Sequence, residues 1–261
     1  MQATIGGRAI SYFVEGEGIP LLLMHAFPLN RTMFDAQLRV LSRMAKVIVF
    51  DVPGLGQSAP GPLGMDDQAR VAAGLLDVLK IDKAVVGGIS MGGYAAFSFA
   101  RIFPERLLGL LLADTRPGAD TAEVRSGRLK SADFVLQHGS AELAKQLLPK
   151  FLGSEAQSDE KIAGNVREMI QAAPPKVVAE LLSALGSRRD STDLLSMIKV
   201  PTLVICGTED AITPAAEARQ WSSKIAGAQY VEIPGAGHLA NLERPEHFNQ
   251  AVSQWLKALR Q

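Results

Sequence analysis

Cysteine is nearly missing from this chain: 261 residues contain one, Cys206. No internal disulfide can form, and with only four scattered histidines there is no zinc-type ligand cluster. The thiol lies in the apolar run Pro201 to Cys206 and reads as a buried, inert side chain. A reducing compartment, the cytoplasm, is the expected setting. A charge excess is missing too, because Lys plus Arg and Asp plus Glu each number 27. The positive field that a phosphate backbone demands is absent, so no nucleic-acid partner is expected. The same balance argues against an anionic membrane surface. The longest uncharged run, Ala84 to Ala100, falls short of the ~18 to 20 residues that span a bilayer, and four glycines interrupt it. No basic segment leads into an apolar one in MQATIGGRAISYF, so no signal peptide is expected. What is present is 47% hydrophobic content with 21% charge, enough to bury a sizeable core in one large domain or two small ones.

The apolar pattern sets the organisation. Ala3–Ile5 and Arg8–Glu15 flank Gly6-Gly7, a hairpin signal. Continuous apolar runs then predict buried strands at 21–25, 46–51, 84–89, 107–114, 201–207 and 229–234. Between them, helical spacing predicts helices from Asn30 as cap to about Met44, at 66–80, 91–103 and 214–226, and from Arg244 to Arg260. From Thr115 to Asp190 the alternation stops. Four helices are expected there, near 119–138, 140–151, 159–172 and 176–185, punctuated by Pro149, Gly153, Pro174-Pro175 and Gly186. Strand–helix alternation implies an α/β fold with a mostly parallel sheet and helices on both faces. The expected division is a core of residues 1–114 and 191–261 with a helical cap at 115–190. That insertion leaves from a strand's C-terminal end, the edge where open α/β sheets bind ligands.

Gly88-Ile89-Ser90-Met91-Gly92 matches G-x-S-x-G, and its context gives it weight: an apolar strand enters and a helix leaves. Such a turn strains the serine and lifts its hydroxyl off the sheet, with small residues needed two places to either side. Ser90 then needs a base. His238, in a loop after the last strand, reaches the same edge. His25 ends an early strand and reads as structural, holding the next loop by a ring hydrogen bond. His138 and His247 fall on polar helix surfaces. An acid must orient the base. Asp210 follows the strand at 201–207, and Asp114 competes from the end of 107–114, otherwise serving as a cap or pairing with Arg116. Glu209 and Asp51 are weaker candidates. The expected oxyanion donors are the backbone amides of Met91, next to the nucleophile, and Phe27, since Pro28 has no N–H.

Six segments carry a resemblance over essentially the whole length: HAFP (25–28), DVPGLGQS (51–58), GISMGGYAAFSFAR (88–101), LADTR (112–116), GTEDAITP (207–214) and GAGHLANLERP (235–245). The chain resembles the α/β-hydrolase superfamily. GISMGG, LADTR and the SxDLL segment at 191–195 resemble small bacterial carboxylesterases, which are similar to 3-oxoadipate enol-lactonases and cofactor-free haloperoxidases. The resemblance implies Ser90, Asp210 and His238 as nucleophile, acid and base, with Phe27 and Met91 as oxyanion donors. It implies no metal and no organic cofactor. Relatives that open epoxides or remove halides carry Asp where Ser90 stands, so acyl transfer is implied: a carboxylesterase for small, short-chain acyl esters, or a lactonase or perhydrolase with the same triad. A slow-turnover receptor on this fold is the reading of another class. One departure is Ala26, where the family usually has Gly. A left-handed backbone there would strain the loop. Arg116, Arg125, Arg128 and Lys130 are the cations available to a dicarboxylate lactone. Phe134, Leu136, Leu143, Leu147, Leu148, Phe151 and Met169 recur at helical spacing and read as packing of the inserted helices.

Overall fold

A computed structural model describes residues 1–259. The strands are β1 (Gln2–Ile5), β2 (Arg8–Glu15), β3 (Ile19–Met24), β4 (Ala45–Phe50), β5 (Ala84–Ile89), β6 (Leu107–Ala113), β7 (Thr202–Gly207) and β8 (Gln229–Ile233). They form one sheet in the order β1-β2-β4-β3-β5-β6-β7-β8. The β1–β2 and β2–β4 pairs are antiparallel, and every pair from β4 to β8 is parallel. The helices are α1 (Asp35–Leu41), α2 (Met65–Val78), α3 (Met91–Ile102), α4 (Ala122–His138), α5 (Ser140–Phe151), α6 (Ser154–Ser158), α7 (Glu160–Ala172), α8 (Pro175–Gly186), α9 (Ala215–Ser222), α10 (Ala240–Glu243) and α11 (Pro245–Ala258). The Arg260 end expected for the last helix lies outside the described residues.

Because successive strand residues face opposite sides of a sheet, the parallel strands feed two cores. Leu22, Met24, Ile48, Phe50, Val86, Leu110 and Val204 pack with α2, α3, α4 and α8. Leu21, Leu23, Val47, Val49, Val85, Leu111 and Leu203 pack with α1, α7 and α11. This is why the runs are apolar without alternation: both faces are covered. Each such side chain, fully buried, contributes about 1.5–3 kcal/mol of transfer free energy.

The expected hairpin and all six buried strands are present within a residue or two. Asn30 does cap, but the turn it starts is a 3-10 segment, Arg31–Phe34, with the Asn30 oxygen accepting the Thr32 N–H. The α-helix behind it ends at Leu41, short of Met44. Between β6 and β7 the described chain is helical apart from short connections. There α4 packs on α8 and α5 on α7. None of the described helices is long and apolar enough to cross a membrane.

Strand register sets what meets at the C-terminal edge. Met24 of β3 pairs with Gly88 of β5, and Ile89 of β5 pairs with Ala113 of β6. The loops after β3, β5 and β6 therefore leave the sheet side by side.

Candidate active site

Ser90 stands between β5 and α3 at φ 54° and ψ −112°, a left-handed backbone that a side-chain-bearing residue adopts at a cost of about 1–3 kcal/mol. Its neighbours hold it there. The Ser90 N–H donates to the Ala113 carbonyl at 2.9 Å, and the Thr115 hydroxyl donates to the Ser90 carbonyl at 2.9 Å. The flanking glycines are required by space. A Cβ on Gly88 would lie 2.2 Å from the carbonyl carbon of Gly92, and one on Gly92 would lie 2.0 Å from the Met24 oxygen.

Three side chains from three strand ends meet in line. Ser90 Oγ lies 2.7 Å from Nε2 of His238, and Nδ1 of the same ring lies 2.8 Å from Oδ2 of Asp210. The sequence separations are large, and only the sheet brings the groups together. Asp210 is itself clamped. Its Oδ1 accepts the amides of Ile212 and Thr213 at 2.8 and 2.9 Å, and its Oδ2 accepts the Thr213 hydroxyl at 2.6 Å. Burial alone would raise its carboxyl, but the His238 ring and the Thr213 donors outweigh this and hold it below the ordinary carboxylate value. The group stays an anion, which orients the ring with Nδ1–H toward Asp210 and leaves Nε2 as an acceptor.

The competing residues have other partners. Asp114 accepts the Gly207 and Ala240 amides at 2.9 and 3.1 Å. Arg116 pairs with Asp120 instead of Asp114. Burial, reinforced by the Asp210 charge, pushes the Asp114 carboxyl well above its ordinary value. Glu209 accepts the Ser154 amide at 2.7 Å, and Asp51 accepts the amides of Arg31 and Gln57. His25 holds loops, as the sequence predicts. Its Nε2 accepts the Val52 amide at 2.9 Å, and Nδ1 lies 3.0 Å from the Ala26 oxygen. His138 and His247 are exposed. Ala26 does not take the left-handed backbone that would have strained it: among the described non-glycine residues only Lys80, Ser90 and Asp114 have positive φ.

Phe27 and Met91 both border this point, and neither amide donates to an acceptor among the described residues. Phe27 lines the same cavity as Ser90 and His238. That cavity, of about 380 Å³, has one wall from the sheet edge, with Phe27, Tyr94, Arg116 and Ile212. The opposite wall comes from α4, α5 and α8, with Arg128, Leu147, Lys150, Phe151, Leu182 and Leu185 among its residues. Of the apolar positions marked for packing in the insertion, Leu147 and Phe151 face the cavity, while Leu136 is exposed. Of the four cations singled out, Arg116 and Arg128 line the cavity, whereas Arg125 and Lys130 are exposed.

Sequence reasoning missed Glu243. Its Oε2 accepts the amides of Gly153 and Gly237 at 2.7 and 3.0 Å, and its Oε1 accepts that of Leu239 at 3.1 Å. One carboxylate thus joins the loop carrying His238 to the α5–α6 turn of the inserted helices. The Phe151 carbonyl adds to this by accepting the His238 amide at 2.8 Å. Thr213 was missed as well; no signal in the sequence separates it from any other loop threonine.

One cluster among the described residues has metal-ligand chemistry: Asp114, Cys206 and Asp210, with donor atoms within 4.8 Å of one another. It suits a cation poorly. The oxygens of both carboxylates already accept hydrogen bonds. Burial, and then the neighbouring Asp114 and Asp210 charges, push the Cys206 thiol far up, away from the thiolate a metal needs.

Comparison with known proteins identifies the family and the fold. A family model described as alpha/beta hydrolase fold matches residues 19–245. A thermophilic esterase from Thermogutta terrifontis, solved with malate bound, is 38% identical with a TM-score of 0.96, over 100% of this chain and 99% of that one. The enol-lactonase of Burkholderia xenovorans is 28% identical with a TM-score of 0.89, over 98% of this chain and 100% of that one. The 3-oxoadipate enol-lactonase 2 of Acinetobacter baylyi is 28% identical over 258 residues, 95% of this chain and 93% of the relative.

Proposed function

The chain belongs to the alpha/beta hydrolase family, and from that premise we propose that it is a serine carboxylesterase cleaving small, short-chain acyl esters through an acyl-enzyme on Ser90. The observation that carries the reading is the unbroken line from Ser90 Oγ through the His238 ring to Asp210, with contacts of 2.7 and 2.8 Å. In this reading residues 115–190 are the cap over the site.

The chemistry follows from the geometry. His238 takes the Ser90 proton at Nε2 as Oγ bonds to the acyl carbon. Asp210 stabilises the imidazolium that forms. The carbonyl electron pair moves onto oxygen, which the amides of Phe27 and Met91 receive. One such donor is worth about 2.7–4 kcal/mol of barrier in enzymes of this type. Collapse of the tetrahedral intermediate breaks the alkoxy C–O bond, and Nε2 returns the proton to the leaving alcohol. Water then attacks the acyl-enzyme by the same route, giving the carboxylic acid and free Ser90. No redox partner is required.

A lactone is an internal ester, so the same groups open one. The enol-lactonase relatives make lactones the second substrate type to assay.

The test is a panel of chromogenic esters on wild type and Ser90→Ala. We expect turnover to drop on the order of a million-fold in the variant, and an acyl adduct on Ser90 to be visible by mass spectrometry in the wild type. A folded Ser90→Ala protein with most of its activity would remove the nucleophile from the scheme. Rapid multiple turnover would exclude the receptor reading.

A further inference from the structure

We propose that the Ser90 cavity contains a carboxylate-binding subsite, so that its preferred substrates are anionic half-esters of dicarboxylic acids rather than neutral esters. The inference rests on the serine-esterase reading and specifies the substrate for it.

Charge is distributed unevenly around this cavity. Arg116, Arg128 and Lys150 line it, and no Asp or Glu does. The nearest counter-charge to the arginines is Asp120, behind the wall and buried. It is shared three ways. Arg188 Nη1 donates to Asp120 at 2.6 Å and Arg116 Nη2 at 3.2 Å, and Arg128 pairs with it through Nε. Burial would neutralise Asp120, but Arg128 and Arg188 hold its carboxyl below the ordinary value, so it counts as one full negative charge. Among the described residues these three guanidinium groups share one carboxylate, an excess of two positive charges. Lys150, exposed in the last turn of α5, also lines the cavity and makes no ion pair among the described residues.

A purely structural ion cluster has no need of this excess. Arg188, stacked with its guanidinium 4.2 Å from the Tyr94 ring centre, already gives Asp120 a buried partner. Bringing further half-buried cations to the same spot costs desolvation and repulsion unless an anion joins them. The Nε atoms of both Arg116 and Arg188 are buried with no hydrogen-bond acceptor among the described residues. A planar carboxylate is the ligand that guanidinium donors fit best. The remaining lining, Leu147, Leu182 and Leu185, suits the methylene chain between that carboxylate and an ester carbonyl at Ser90.

The test compares monomethyl adipate with methyl hexanoate, an uncharged ester of similar length. Acid release is followed in a pH-stat at slightly alkaline pH, and the readout is the ratio of the two kcat/KM values. We expect the wild type to favour the half-ester by about tenfold or more, the factor one charge-assisted hydrogen bond supplies. Added salt should lower the ratio. Lys150→Ala should lower it several-fold, mainly through KM, and Lys150→Arg should preserve it. Arg128→Gln should lower it further, with its melting curve checked because Arg128 also touches Asp120. A wild-type ratio of one or less, or a ratio that neither salt nor Lys150→Ala moves, overturns the subsite while leaving the esterase reading intact. If Ser90→Ala hydrolyses both esters as fast as the wild type, both readings fall together.

Discussion

Glu243 shows how much one side chain can organise. Its two oxygens collect three backbone N–H groups, two from the loop that carries His238 and one from the turn after α5. Burial raises its carboxyl, so its position depends on keeping those three donors. Glu243→Gln exchanges one acceptor oxygen for an NH2 group that would face a backbone N–H. We expect kcat on a small neutral ester to fall about tenfold to a hundredfold through misplacement of the imidazole, with a smaller change in KM. Steady-state kinetics beside a melting curve checks this. A lower melting temperature with unchanged kcat would reduce Glu243 to a purely structural brace. Glu243 also marks where reading the sequence stops. Ser90, His238 and Asp210 were legible because each sits beside a recognisable strand end, in a local pattern with its own physical reason. Glu243, Thr213 and Lys150 carry no such local mark. Their partners are amides, hydroxyls and cavity walls that come near only when the chain closes on itself.

Among the secondary-structure elements, those with a long apolar signature were legible, and the short ones were not. Strands buried on both faces are unbroken apolar runs, and β5, between β3 and β6, was bounded to the residue. The helices α6 and α10, of 5 and 4 residues, are too short to display a 3.6-residue period. The helix α4 starts at Ala122, later than its apolar spacing implies, because the Thr121 side chain caps it by accepting the Val124 amide. Strand order was not legible either: alternation predicts a parallel sheet, but the placement of β3 between β4 and β5 follows from long-range pairing.

One tie between elements is testable through pH. Arg101, in the last turn of α3, makes two hydrogen bonds of 2.9 and 2.7 Å to Asp193, in the 3-10 turn Thr192–Leu194 between α8 and β7. The Arg101 hydrogen bond pulls the Asp193 carboxyl from its usual 3.8 to about 2. A depressed acid stabilises the fold fully above its unfolded value and loses that contribution as pH falls through the folded one. Asp193→Asn should therefore lower the melting temperature modestly at neutral pH, since the pair is exposed. The gap to wild type should close as pH is lowered from about 4 towards 2. A gap independent of pH would assign the effect to something other than this ion pair.

The cavity belongs to the assembled chain, with one wall from the sheet edge and the other from the helices inserted between β6 and β7. At about 380 Å³ it lies near the small end of ligand pockets, roughly 300–1,000 Å³. With acyl length varied in a neutral ester series, kcat/KM should peak at short chains and fall once the acyl group outgrows the space. A rate still rising at long-chain esters would mean that the helical wall moves aside during turnover.

Such movement has a fixed corner. Residues 151–154 are fastened to the His238 loop through the Phe151 carbonyl, Glu243 and Glu209, so the helical layer cannot lift there without dragging the imidazole. On the α4 side the cavity is bordered by Val124, Gly127 and Arg128, the first two of them exposed. The two rims therefore differ mechanically: one is laced by hydrogen bonds to the loop that carries His238, and the other presents exposed helix surface.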